Sequence, residues 1–272
     1  MIIRQLIRTA LAEDLGKGDI TSQLTVPALH KSSGLVIARS SGTLAGIGVC
    51  AKVFRAVDAT LKFKALKADG AEFKNGSILA SVTGRTRSIL TAERTALNFL
   101  QRLTGIATLT HQFVQTARGT KVTILDTRKT TPGWRRLEKY AVRCGGAKNH
   151  RFGLYDMILI KDNHIAAAGS VTAALNRCRG KKLPVEVEVK NLAEFREALK
   201  AGAQRIMLDN MNIAQIRRAV AIAKHQVKLE VSGRMNLGRV RSVAQTGVDY
   251  ISVGALTHSA PALDIALELE TD

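Results

Sequence analysis

The chain has 272 residues, 46% of them hydrophobic and only 4% aromatic, which suits one large barrel or two smaller domains with an aliphatic core. Few aromatics disfavour an aromatic-laddered β-sandwich, and four prolines with no low-complexity stretch disfavour long linkers and disordered tails. The net charge of +19 admits nucleic acid or small anions as partners, but the cations are spread along the chain and base-stacking rings are scarce, so nucleic acid is not expected.

Residues 1–15 read as an amphipathic helix stopped by Gly16. Arg4 and Arg8 give this helix the look of a transit peptide, but Glu13 and Asp14 arrive early and structured sequence follows, so it reads as mature protein. Residues 34–83 read as short strands broken by the turn pairs Ser41-Gly42, Asp69-Gly70 and Asn75-Gly76, with one helix at 47–57. That is a small α+β unit. A long helix follows from Thr91 to Arg118, with Ala92, Ala96, Leu97, Leu100 and Leu103 on one face, and joins the two domains.

The rhythm then changes. Apolar strands recur as VTILD (122–126), DMILIK (156–161), VEVEV (185–189), RIMLD (205–209), VKLEV (227–231) and DYISVG (249–254). Helical patterns such as 192–202 and 213–224 lie between them. Strand–helix alternation with nearly continuous apolar strands means parallel βαβ units and a sheet buried on both faces. A TIM-type barrel and a doubly wound sheet both fit, and six clear strands make a barrel incomplete. Cysteines 50, 144 and 178 are too scattered for a disulfide framework or a CxxC metal site, which suits a reducing cytoplasm, and no apolar run reaches membrane-spanning length.

In parallel α/β folds ligands bind at the carboxyl ends of strands. Those ends carry, in order, Asp126, Arg128 and Lys129; Lys161, Asp162, Asn163 and His164; Glu186 and Glu188; Asp209 and Asn210; Ser232 and Gly233; and Gly254. Cations come first, carboxylates next and small residues last. Gly- and Ser-rich late loops cradle phosphate through backbone N–H groups, and carboxylates beside a phosphate suggest Mg²⁺. The pattern describes a pocket for a phosphorylated, metal-bound substrate and a second anion. Arg128 and Lys129 follow a buried strand directly and read as pocket groups rather than helix-flanking charges. Glu186 and Glu188 share one face among valines and need a metal or cation partner, the competing reading being a salt-bridged barrel interior. Gly233 and Gly254 read equally well as helix-entry turns. His150 sits in the tight polar cluster Asn149-His150-Arg151, while His30, His111 and His225 are given no role.

The segments EDLGKGDIT (13–21), ERTALNFLQRLTGIAT (93–108), DTRKTTPG (126–133), LEKYAV (137–142), GGAKNHR (145–151), LIKDNHI (159–165), EVEV (186–189), MLDNM (207–211), SG (232–233) and GVDYISVGALTHS (247–259) resemble, in order and over nearly the whole chain, the quinolinate phosphoribosyltransferase family. The resemblance implies an N-terminal α+β open-sandwich domain (1–104) and an incomplete TIM-type α/β barrel (105–272), whose C-terminal tail can pack back on the first domain. It implies transfer of phosphoribosyl from 5-phosphoribosyl 1-pyrophosphate to quinolinate with loss of CO₂, using Mg²⁺ and no organic cofactor, in a homodimer or an assembly of dimers. By the same resemblance Arg128, Arg151 and Arg94 donated by the partner chain hold the quinolinate carboxylates, with His150 and Lys161 close by. Lys129, Lys161 and Lys139 face the phosphate-bearing substrate. Glu188 and Asp209 hold Mg²⁺ or ribose hydroxyls, and Ser232, Gly233 and Gly254 contact the 5′-phosphate. Lys129, Lys161, Glu188 and Asp209 are the expected catalytic groups. Two positions depart from the family's form: Arg234 stands where a small or polar residue is usual, and Lys190 where an acid is expected. The rival readings are a molybdate-transport-linked relative, a nicotinate-specific ATP-assisted transferase and a nucleic-acid-binding protein on a retired scaffold. Intact Arg94, Arg128, Arg151 and Lys161 argue against them.

Overall fold

The computed structural model describes residues 2–270. They form two compact units, each discontinuous in sequence: one runs to Leu109 and includes Pro132–Gly146 and the chain from Ala260, the other comprises Thr110–Thr131 and Ala147–Ser259.

The first unit runs through α1 (Ile2–Leu15), α2 (Ile20–Thr25), β1 (Lys31–Ala38), β2 (Gly42–Thr43), α3 (Ile47–Val57), β3 (Lys62–Ala65), β4 (Glu72–Phe73) and β5 (Ile78–Arg85) into the long α4 (Thr86–Thr116). Gly16, at φ +48°, takes the left-handed turn that ends α1, as its position predicts. In α3, Val49, Cys50, Val53 and Phe54 are buried on one face. The expected stripe of α4, Ala92, Ala96, Leu97, Leu100 and Leu103, is wholly buried. The helix starts five residues earlier than expected, and its first turn extends the buried face through Thr86 and Ile89, six and three residues ahead of Ala92. The sheet is antiparallel in the order β12-β1-β5-β3, where β12 (Ile265–Leu269) is the last strand of the chain.

Between those segments the chain makes β6 (Thr123–Leu125), α5 (Arg135–Cys144, in the first unit), β7 (Ile158–Ile160), α6 (Asp162–Ala168), α7 (Val171–Cys178), β8 (Val185–Val189) and α8 (Leu192–Lys200). It continues with β9 (Arg205–Asp209), α9 (Ile213–Ala223), β10 (Lys228–Ser232), α10 (Leu237–Ala244), β11 (Tyr250–Ser252) and α11 (Ala255–His258). The second unit's sheet is all parallel in the order β6-β11-β10-β9-β8-β7. Consecutive strands are neighbours and the first pairs with the last, so the sheet winds round as a barrel, without the reversal of a doubly wound sheet. It is incomplete between β6 and β7, where a single parallel bridge, Leu125 to Lys148, stands in for a strand.

The helices after β8, β9 and β10 each begin on an asparagine. Asn191, Asn212 and Asn236 accept backbone N–H groups of the first helical turn and so fix where each strand-end loop stops. The inner sides of these helices carry Phe195 and Ala198, Ile216 and Ala219, and Val240 and Val243, all buried against the strands. No described helix is long and apolar enough to cross a membrane.

Candidate active site

The carboxyl ends of the six parallel strands surround a cavity of about 660 Å³ within the second unit. Of the residues singled out in the sequence it gathers Arg128, Lys129, His150, Arg151, Lys161, Glu188, Asp209, Ser232, Gly233 and Gly254. Arg94 and Lys139 are not among its lining. Arg94 is exposed on α4 and Lys139 is buried on α5, both in the first unit.

Asp126, fully buried at the end of β6, organises one wall. Its carboxylate accepts the backbone N–H of His150 at 2.8 Å and the Asn149 side-chain amide at 2.6 Å. The Arg151 N–H donates to His150 Nδ1 at 2.7 Å, and the other ring nitrogen, Nε2, faces Glu186 Oε2, 3.1 Å away. The Arg151 guanidinium donates to the Met157 carbonyl at 3.1 Å. Burial, with the positive Arg128 beside it, draws Arg151 below the ordinary arginine value. The loop carrying Arg128 and Lys129 is tied down by Thr257, whose hydroxyl donates to the Lys129 carbonyl at 2.7 Å.

Lys161 ends β7 and donates to Glu188 Oε2 at 2.9 Å. Lys190, the residue out of pattern after β8, pairs with Asp162 at 2.7 Å and links the end of β8 to the start of α6. Asp209 accepts the Asn210 amide at 2.7 Å. Gly233 has φ +99°, and a Cβ there would lie 2.2 Å from Asn210 Oδ1, so only glycine fits. Arg239 closes this turn from behind, donating to the carbonyls of Gly233 at 3.1 Å and Met211 at 2.6 Å.

Beneath the cavity lies a charged interior. Glu186 and Glu230 are both fully buried. The Arg205 guanidinium bridges them, with Nε on Glu186 at 2.9 Å and its second arm on Glu230, and it lies 4.2 Å over the Tyr250 ring. Ser252 donates to Glu230 at 2.5 Å. Burial raises both carboxyls, and Glu230, beside the Glu186 charge, is pushed up to about 7. His150, Glu186 and Glu230 lie close enough to bind a metal, but Arg205 takes one oxygen of each carboxylate, Ser252 the other oxygen of Glu230 and His150 Nε2 the other oxygen of Glu186. For Glu186 the salt-bridged barrel interior is therefore the correct reading, whereas Glu188 faces the cavity. Arg205, Glu230 and Ser252 are absent from the sequence-based site. The signal for Glu230 was there: VKLEV places an acid among alternating apolar residues as VEVEV does.

A parallel barrel that lines one mouth with cations, carboxylates and glycine turns defines a binder of phosphorylated, multiply anionic small molecules. The chain belongs to the quinolinate phosphoribosyl transferase family: the pattern of that family's N-terminal domain matches residues 19–104 and that of its C-terminal domain residues 106–268. It is 42% identical, over 99% of its length and 83% of the relative's, to quinolinate phosphoribosyltransferase [decarboxylating] 1 of Nicotiana glauca. It is 41% identical, over 98% of its length and 93% of the relative's, to a probable nicotinate-nucleotide pyrophosphorylase [carboxylating] of Bacillus subtilis. The solved nicotinate-nucleotide pyrophosphorylase of Francisella tularensis superposes with a TM-score of 0.95 at 42% identity, covering 99% of this chain and 96% of that one.

Proposed function

We propose that this protein transfers the phosphoribosyl group of 5-phosphoribosyl 1-pyrophosphate to quinolinate, releasing pyrophosphate and CO₂ and leaving nicotinate mononucleotide, a step of de novo NAD synthesis. The observation that carries this is the gathering of five cations, Arg128, Lys129, Arg151, Lys161 and Arg234, against two carboxylates, Glu188 and Asp209, in one cavity. A dicarboxylate and a pyrophosphate ester together need that excess of positive charge.

Arg128 and Arg151 hold the two quinolinate carboxylates, joined by Arg94 of the partner subunit in a homodimer, because the planar guanidinium fork matches a carboxylate at fixed geometry. Lys129 and Lys161 face the departing pyrophosphate and stabilise the negative charge that develops on it. As that bond breaks, positive charge grows on the ribose, and the pyridine nitrogen attacks from the position set by the carboxylate clamps. The alkylated ring nitrogen is then cationic. It accepts the electron pair left when the adjacent carboxylate departs as CO₂, and a proton replaces that carboxylate. The ring is its own electron sink, so decarboxylation calls for no organic cofactor. Ser232, Gly233 and Gly254 offer backbone contacts to the 5′-phosphate.

The donors at the ends of β8 and β9 fit Mg²⁺: Glu188 and Asp209 supply hard carboxylate oxygens, and Asn210 adds an amide. Bound there with the pyrophosphate, Mg²⁺ would neutralise part of the leaving group's charge. Lys161 holds Glu188 in place through their 2.9 Å ion pair.

The test offers quinolinate and nicotinate in parallel, each with 5-phosphoribosyl 1-pyrophosphate and Mg²⁺, and follows nicotinate mononucleotide and CO₂. Turnover of quinolinate alone is the expected result. Turnover of nicotinate, or of neither, would show that the barrel and phosphate site serve another acceptor.

A further inference from the structure

The turn after β10 holds a residue that the functional reading leaves unused. Arg234 lines the main cavity and also a second, shallower one shared with Asn210, Met211 and Arg239. Its φ is +47°, in the left-handed region that a residue with a Cβ adopts only where the surrounding structure holds it. Lys224 and His225 also have positive φ, but they form the end of α9, where a left-handed cap is ordinary. Asn210 is of a type that tolerates this conformation. Arg234 has neither excuse.

The neighbouring cations are spoken for: Arg239 donates to two turn carbonyls and Lys161 to Glu188. Arg234 has no hydrogen bond or ion pair among the described residues, so this exposed side chain lines the cavity with its five N–H donors unmatched by a protein acceptor. The turn directly before it is tied down by Arg239, which donates to the Gly233 carbonyl at 3.1 Å, and by the Asn210 N–H, which donates to the Ser232 carbonyl at 3.0 Å.

We propose that Arg234 is a phosphate-binding residue that closes its guanidinium on the 5′-phosphate of the phosphoribosyl substrate, adding a charged side chain to the backbone cradle of Ser232, Gly233 and Gly254. This deepens the functional reading above and rests on it. The position selects among the anions. Arg128, Arg151 and Lys161 belong to the β6 and β7 side, whereas Arg234 stands in the turn after β10, next to Gly233. Arginine here combines fixed charge with a planar fork, so it grips a phosphate oxygen pair that a small residue would leave to water.

Three variants separate charge from backbone strain. Arg234→Ala removes the guanidinium and keeps the left-handed Cβ, Arg234→Gly removes both, and Arg234→Lys keeps a charge. Steady-state kinetics should show KM for 5-phosphoribosyl 1-pyrophosphate raised about tenfold in both Ala and Gly variants, in line with loss of one charge-assisted contact, with KM for quinolinate unchanged and Lys intermediate. Only the Gly variant should gain in Tm, because only it relieves φ. Ribose 5-phosphate, titrated alone by calorimetry, should bind the wild type and bind the Ala and Gly variants more weakly by the same factor. An unchanged KM for the phosphoribosyl donor, or ribose 5-phosphate binding that is absent from the wild type or equal in the variants, would overturn the assignment. The titration reads Arg234 even where quinolinate is not turned over, so failure of the reaction and failure of this contact are told apart.

Discussion

Two glutamates on one strand, two residues apart, do different work. Glu188 reaches the cavity and takes Lys161, whereas Glu186 points into the barrel centre and shares Arg205 with Glu230. With both interior carboxyls ionised, two buried negative charges share the Arg205 guanidinium, with the His150 ring beside them. Burial, with the Glu186 charge beside it, favours the protonated form of Glu230, whose folded value of about 7 is well above the ordinary glutamate value of 4.5. A carboxyl raised in the folded state contributes stability that is complete below its unfolded value and is lost as pH rises through its folded value. The window is therefore from about pH 4.5 to about pH 7. Glu230→Gln keeps the shape and removes the titration, and it leaves Glu186 and Arg205 as a neutral pair. The Tm of the wild type minus that of the variant should fall steadily between pH 5 and pH 8, by an amount equivalent to about 2–3 kcal/mol. Parallel profiles would mean that Glu230 is ionised throughout. The cavity cations were legible because each follows a strand end in the sequence. The interior network was not, because the partnership of Arg205 with residues 19 and 25 positions away depends on β8, β9 and β10 lying side by side.

Elements were easier to read than their partners. The six parallel strands stand where alternation and apolar runs place them, since strands buried on both faces have nowhere to hide that signature. Periodicity alone left barrel and open sheet both open and only the family resemblance chose the barrel, because the choice is settled by a distant pairing, that of β6 with β11, such as Ile124 with Ile251. The same holds for α4. Its buried stripe is visible, but the reason for a glycine at 105, inside a helix, is not. There the helix meets the returning tail: a Cβ on Gly105 would lie 1.9 Å from the Pro261 carbonyl oxygen, which is backbone and cannot swing aside. Helix propensity alone favours Gly105→Ala by about 1 kcal/mol. The clash opposes it with more, and it also threatens the pairing of β12 with β1. Gly105→Ala should therefore destabilise the protein by a net ~2–3 kcal/mol in urea unfolding, against the direction of propensity. A variant as stable as the parent would show that the tail does not press on α4.

At the scale of the whole molecule the open question is whether one chain makes a working site. Arg94 is an exposed cation on α4, in the first unit and outside the cavity lining, next to Glu93, which burial raises above its ordinary value. The proposed clamp assigns Arg94 of the partner subunit to a carboxylate, so activity should require two chains and neither variant of a complementary pair should work alone. Arg94→Ala chains lack the donated arginine in both sites of their homodimer, and Lys161→Ala chains lack the resident lysine in both. A mixed dimer places every defect in one site: the chain with intact Lys161 receives an intact Arg94, and the other site is doubly broken. Random exchange makes half of the dimers mixed, so a one-to-one mixture should recover up to about a quarter of wild-type turnover. The check is turnover before and after subunit exchange, with mixed dimers verified by tagging one variant and isolating it with its partner. Recovery would establish donation across a closed two-fold interface, where the same contact occurs twice. Mixed dimers without activity would show that Arg94 serves the site of its own chain, and an Arg94→Ala homodimer that turns over normally would make Arg94 a surface charge of a strongly basic protein.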